Sequence, residues 1–389
     1  MKQVALATIP MLCAAIAPIC ADAQRSNTSN SASDKQNAEM QKQYMHEMNK
    51  ITPSAEPAVT RWADPFVTAD FIYWRAQEDG LQYALNGVSS GNGPLVPTTP
   101  LFPAQKGKVH HARFEYEPGF KVGAGLKFRH DGWDAYAQYT WWRSERDESK
   151  SKVSATPGFT NEVVANIFYP NGNNGLLETF RADSANAKWS MMFNVLDLEL
   201  GRNFWISKWL TLRPFVGMKF SWINQKFHHK FGDVYSSGNS LAAVPTFAAA
   251  SGNNFSSHNH MDQFGVGMRS GLNTAWYMAK RWAIFGDLAI TGMWNDFDVS
   301  RKDYIESPTL SKTKSFRARN DMHNVTAILE WALGLRFETA FHHDDFMFMM
   351  EAGWESQVWF GQNAFLNPGN QTPGNLSLQG LTIKAGFYF

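Results

Sequence analysis

The 389-residue chain has only two cysteines, Cys13 and Cys20, and both lie in an N-terminal apolar stretch. That stretch reads as a removable leader, so the mature protein has no thiol and neither disulfides nor thiolate chemistry are open to it. Charge of one sign is also scarce. The formal net charge is +1, and no face-wide surplus of Lys and Arg exists to neutralise phosphates, which argues against an electrostatic nucleic-acid binder and leaves room only for local basic clusters. Long hydrophobic runs are missing beyond the N-terminus. Although 44% of the residues are hydrophobic, mean hydropathy is negative, so a bundle of apolar transmembrane helices does not fit.

The N-terminus follows the order of a secretory signal. Lys2 supplies positive charge, Val4 to Cys20 an apolar run interrupted by Pro10 and Pro18, and Ala21, Asp22 and Ala23 a small-x-small cleavage site. Residues 1–23 are expected to be removed in transit through the periplasm, leaving Gln24 first. Neither cysteine follows the Leu-Ala-Gly-like run of a lipoprotein. Residues 24–64 are rich in Ser, Asn, Gln and Lys and too poor in branched apolar residues to form a core, so they read as a polar periplasmic leader. An exported chain without disulfides but with 15 Trp, 29 Phe and 29 Gly must gain its stability elsewhere. A closed, hydrogen-bonded barrel in lipid supplies it.

From residue 65 to 389 the dominant signal is alternation with period two. Phe114, Tyr116, Phe120, Val122, Ala124, Leu126 and Phe128 share one face, against Arg113, Glu115, Lys121, Gly123, Gly125, Lys127 and Arg129. Asp131 and Gly132 then mark a hairpin turn before a strand with Trp133, Ala135, Ala137, Tyr139 and Trp141 on one side and Asp134, Tyr136, Gln138 and Thr140 on the other. The pattern returns through Leu196 to Leu200, Leu210 to Trp222, Phe264 to Trp276, Trp282 to Trp294, Val325 to Phe337, Phe346 to Val358 and Leu381 to Phe389, with a first copy at Val67 to Tyr73. Template counting gives about ten strands and allows up to about sixteen if hairpins such as Val163 to Tyr169 with Leu177 to Arg181 join the wall. Pro214, which has no N–H, marks a bulge or weak point.

The expected fold is therefore all-β, an up-and-down antiparallel transmembrane barrel. Gaps near Asp131, Asn203, Ala279 and Ala340 span roughly two to seven residues, and those after Ala84, Arg143, Lys226, Asn295 and Phe360 roughly eighteen to forty-four, the rhythm of short periplasmic turns and long outer loops. Trp133, Trp141, Trp222, Trp276, Trp282, Trp294 and Trp354 fall near strand ends, where amphipathic rings suit an aromatic girdle. The terminal Phe387 and Phe389 read as the signal by which barrel assembly machinery recognises outer-membrane substrates.

Several segments carry a family resemblance. Asp70, Phe71, Tyr73, Trp74, Ala76 to Leu81 and Tyr83, then His130 to Trp133, Leu196, Asp197, Glu199, Gly201 and Arg202, and Leu212 to Phe215 with Gly217, are similar to segments of the Legionella and chlamydia-like major outer membrane protein family. The resemblance implies an abundant surface-exposed porin in contact with the host-cell surface; a homo-oligomer is a further association left open by the sequence. The chlamydial members are cysteine-rich and disulfide-crosslinked, and that role does not carry over to a chain with a cysteine-free mature part.

Candidate chemistry is concentrated on the polar faces. Lys121, Lys127, Arg129, Asp134, Glu199, Arg213, Lys219, Arg269, Asp287, Glu330, Arg336, Glu351, Glu355 and Lys384 should all point into the lumen. In a wide barrel they line water and bias the passage of ions; in a narrow one they pair across the interior and plug it. His110, His111, His130, His228, His229, His258, His260, His342 and His343 are expected in loops or turns without a Ser or Asp motif beside them, so no catalytic site is assigned. His258 with His260, and His342, His343, Asp344 and Asp345, are of metal-ligating types, but solvated turns account for them and no metal or cofactor is expected. The sequence thus points to outer-membrane lipid and small hydrophilic solutes as partners of a porin-like protein. The alternative is a structural or adhesive surface protein with a narrow or plugged barrel.

Overall fold

Alternating side chains from Ala63 onward build a closed wall of ten antiparallel strands. The computed structural model describes residues 62–88, 108–128, 132–147, 151–152, 155–156, 159–165, 180–236, 254–308, 310–341, 346–366 and 374–389. The staves are β1 (Ala63–Glu78), β2 (Tyr116–Phe128), β3 (Trp133–Asp147), β4 (Phe180–Arg202), β5 (Leu210–Ser236), β6 (Asn254–Ala279), β7 (Trp282–Ser307), β8 (Leu310–Phe341), β9 (Phe346–Asn363) and β10 (Gly374–Tyr388). Each pairs with the next, and β10 returns to β1 in a ladder from Phe66↔Tyr388 to Glu78↔Leu376. The expected signal segment and most of the polar leader lie outside the described residues.

The outer face of the wall is hydrophobic. Val67, Phe71, Phe120, Val122, Leu198, Leu200, Val216, Leu288, Ile290, Leu333 and Ile383 are all exposed, while Thr68, Asp70, Lys121, Asp134, Asp197, Lys219 and Glu330 are buried within the ring. A water-soluble protein does the reverse, so this wall is built to face hydrocarbon. The exposed runs Phe264 to Trp276 and Trp282 to Trp294 cover about 40 Å along a strand. Tilted by about 40°, each spans about 30 Å, the thickness of a bilayer core. Trp133, Trp276 and Trp282 sit at the short-turn end of these runs, and Trp141, Trp222, Trp294 and Trp354 toward the outer end. Trp141 stacks on Phe120 at 5.5 Å, and Trp354 meets Tyr116 edge-on at 6.3 Å.

Gly132 enters β3 from the β2–β3 turn with φ of 69°, a conformation that a Cβ disfavours. Pro214 interrupts the ladder without shifting it. Phe215 pairs Gly201 and Leu212 pairs Phe204 in one continuous register, and the bonds between are missing where proline has no N–H. The proline is thus a weak point, with no bulge.

The strands are longer than their greasy faces. β8 has 32 residues, about 100 Å of extended chain where about ten residues cross a bilayer. The long loop expected after Asn295 is instead a continuous hairpin, with β7 running to Ser307 and β8 starting at Leu310. Much of Arg143 to Ala187 and of Phe227 to His260 is likewise strand. Beyond the bilayer the outer face turns polar, so alternation of greasy residues stops while backbone pairing continues. His228, His229, His258 and His260 consequently lie on β5 and β6, and His110 and His111 on a short strand, Lys108–His111, all places read from sequence as loops. His130, His342 and His343 lie outside the described residues. Gln82–Val88 and Phe159–Ala165 pair with each other, and the latter pairs with β4 through Ala165↔Phe180, extending the sheet at the outer end without adding staves.

Candidate functional site

Inward parity collects the ionisable side chains into one belt inside the barrel. Arg336, from β8, donates to Glu351 at 2.6 Å and lies 3.5 Å from Glu338, which also accepts from the Tyr277 hydroxyl at 3.0 Å. Arg213 reaches across from β5 to Asp134 on β3, to Glu199 at 3.0 Å and to the Asn273 amide oxygen at 2.7 Å; Asn273 in turn donates to Asp287 at 2.8 Å. Arg269 bonds Glu199 and, at 2.8 Å, Glu330. Lys219 is held 2.8 Å from both Asp197 and Glu330. Lys121 meets Glu355 at 2.7 Å, and Thr382 donates to the same carboxylate at 2.9 Å.

Every residue expected in the lumen and described in the structure points inward. Lys127 lies 4.2 Å above the Tyr388 ring and Lys384 5.5 Å from the Tyr136 ring. Arg129 lies outside the described residues. Asp70, Asp197 and Glu338 complete the belt, and alternation marks them too, since each occupies the polar parity of its strand. The belt surrounds a cavity of ≈ 230 Å³ bordered by Asp70, Lys121, Glu199, Arg213, Asp287 and Lys384. Ten strands leave an interior that long side chains can bridge, so these charges pair across it.

Inward aromatic rings cover inward glycines, an arrangement without a counterpart in the sequence reading. Phe285 on β7 lies against the paired Gly334 and Gly353, so a Cβ on Gly334 would come 2.3 Å from the Ala352 carbonyl and 2.7 Å from that ring. Phe66 fills the space above Gly125 in the same way. Glycine lets the ring lie flat on the backbone and leaves room for the belt.

Toward the outer end the interior becomes apolar. Ile72, Trp74, Trp142, Trp189, Phe193 and Trp359 are 0–1% exposed and belong to one packed cluster. Phe193 meets Trp359 edge-on at 5.4 Å. The Trp142 indole donates to the Glu117 carbonyl at 2.9 Å and that of Trp189 to Gln225 at 3.1 Å, so both buried N–H groups are satisfied. Sequence reasoning misses this layer because it assigns tryptophan to the bilayer surface. Parity is the available signal, since Ile72 and Trp74 share the face of Asp70.

Among the described residues no three His, Cys, Asp or Glu side chains converge to hold a metal ion. The chain resembles several solved structures in fold at low identity. A major outer membrane protein from Thermus thermophilus is 9% identical with a TM-score of 0.29, over 85% of this chain and 100% of that one. The Escherichia coli outer membrane protease OmpT is 9% identical with a TM-score of 0.34, over 84% and 96%. The P. putida toluene transporter TodX is 11% identical with a TM-score of 0.23, over 86% and 92%. No curated protein matches the sequence. A family model described as the Legionella pneumophila major outer membrane protein precursor matches residues 55–389, which with the ten-stave wall makes this chain an outer-membrane protein of that major outer membrane protein family.

Proposed function

We infer that the protein is a porin-type channel that passes small hydrophilic solutes or ions across the outer membrane and rests closed. The observation that carries this reading is the polar interior: a cavity ringed by ion-paired, hydrogen-bonded charges inside a wall whose other face is apolar. In this reading the Trp rings at the two ends of the apolar band are headgroup-level girdles, and Phe387 and Phe389 form the assembly signal. The belt presents fixed charges to a passing ion, and the aromatic layer of Trp74, Trp142 and Trp359 is the gate, an apolar constriction that excludes water until its rings part. No catalytic step is assigned to the chain.

The test is planar-bilayer recording on refolded protein. Small, infrequent steps are expected from the wild type, and larger or longer ones from Trp142→Ala with Trp359→Ala. Silence from both proteins across salts and voltages would remove the channel.

The packed aromatic layer favours one second reading, a closed barrel that displays its extended outer wall and contacts host cells. In that case conductance is absent in every variant, and host-cell binding falls when the hairpin tip around Ser307 and Leu310 is shortened.

A further inference from the structure

Beyond the apolar band, the outward face of β4 to β8 has a concavity of ≈ 560 Å³. Lys188, Lys230 and Lys312 border it with His228, His258 and Tyr304, and Glu306 is the carboxylate on its rim. His228 and His258 are cross-strand partners whose rings meet at 4.4 Å, and His258 meets Tyr304 edge-on at 5.4 Å. The Lys312 ammonium lies 4.8 Å over the Tyr304 ring. Lys188 also pairs with Glu145 at 3.4 Å, and His260 with Asp262 at 2.8 Å, which leaves Glu306 as the acid on the rim against three lysines. Among the described residues no carboxylate pairs with Lys230 or Lys312. The buried amide oxygen of Asn186, also on the rim, has no hydrogen-bond partner among the described residues. Turning that amide over presents two donors to a ligand.

We propose that this concavity binds a phosphate group of a phosphorylated saccharide. The donor set is the one such a group needs: ammonium groups as point charges, imidazole N–H groups, a phenol and an amide, on a rigid sheet. Its height fits the same ligand. His228 and His258 lie six residues beyond Trp222 and Phe264, about 20 Å along tilted strands and about 15 Å above the aromatic level. That is the level of sugars and phosphates on an outer leaflet and lies above the lipid chains. The site stands apart from the barrel interior and does not depend on passage through it.

The experiment uses the full chain refolded in detergent and two probes, a rough lipopolysaccharide and the same material after its phosphates are removed with hydrofluoric acid. Wild-type protein is expected to bind the phosphorylated probe about tenfold more tightly, the scale of one or two charge-assisted hydrogen bonds, with the difference shrinking at high salt. The triple variant Lys230→Gln, His258→Gln, Lys312→Gln should lose that preference, and Lys230→Arg with Lys312→Arg should keep it. Heat-modifiable gel mobility verifies that each variant is folded. Displacement by inorganic phosphate would assign the site to the free anion, and retention in its presence to the saccharide phosphate; either result supports the site. Equal affinity for the two probes, or an unchanged preference in the triple variant, would overturn it.

Discussion

Replacing Lys219 with Met isolates the part of the interior where charge pairing bears most directly on stability. Lys219 is 1% exposed, with its ammonium 2.8 Å from both Asp197 and Glu330. Met keeps most of the aliphatic stem and removes only the charge. Asp197 and Glu330 are then left to Arg269, 3.7 Å and 2.8 Å away, which already holds Glu199. With Glu199 shared with Arg213, which also holds Asp134, four carboxylates on two guanidiniums leave buried negative charge unmatched, at a cost of about 3–5 kcal/mol. On a urea slope of about 3 kcal/mol/M this lowers the unfolding midpoint by about 1–1.7 M. Tryptophan fluorescence and gel mobility during urea titration in lipid vesicles measure the shift. Adding Glu330→Gln removes one surplus charge, so the double variant should lie at least about 1 kcal/mol above the sum of the two singles. A Lys219→Met protein within about 0.5 kcal/mol of wild type, or strict additivity in the cycle, would refute the belt as a coupled unit.

The other expectations concern different parts of the wall. Gly334→Val should push the Phe285 ring off its seat and destabilise the barrel by more than about 1–3 kcal/mol, the usual cost of overpacking, because backbone as well as ring would have to move; the same urea titration reads it. Trp142→Ala should raise single-channel conductance more than Trp222→Ala, since Trp142 is fully buried inside and Trp222 is exposed outside; equal effects would dismiss the gate. His228, in the wall above the bilayer, is pushed down to about 4 by burial and by the nearby His258, Lys226 and Lys188. Its ordinary value is about 6.5, so an unfolded chain takes up this proton first. The group's contribution to stability is therefore whole above about 6.5 and is lost as pH falls through about 4. An NMR titration midpoint near 6.5 would contradict that burial.

The membrane wall was legible from sequence because lipid imposes a strict rule on every second residue. Phe264 to Trp276 and Trp282 to Trp294 read as staves for that reason, and the same parity sent Arg213, Arg269 and Glu330 inward. Two features escaped. The strands beyond Asn295 and Phe227 were hidden because water accepts any polar side chain, so pairing there leaves no periodic mark. The interior aromatic layer escaped because Trp142 is separated from Trp141 by one position, and composition does not tell a ring in a bilayer from a ring in a plug. Whether the belt would pair or line water depended on strand number, which fixes diameter and cannot be read from one stave at a time.

The ladder from Phe66↔Tyr388 to Glu78↔Leu376 joins the first stave to the last. A nascent chain therefore has no closed form at any intermediate length: until the final residues are delivered, the earliest stave and the newest one each expose a row of unsatisfied N–H and C=O groups. Closure is a single late event spanning nearly the whole polypeptide, and loss of even the last stave would leave an open sheet with two sticky margins. Such a molecule must be kept apart from its neighbours from synthesis to insertion, and a C-terminal deletion should produce aggregates, with no smaller ring formed.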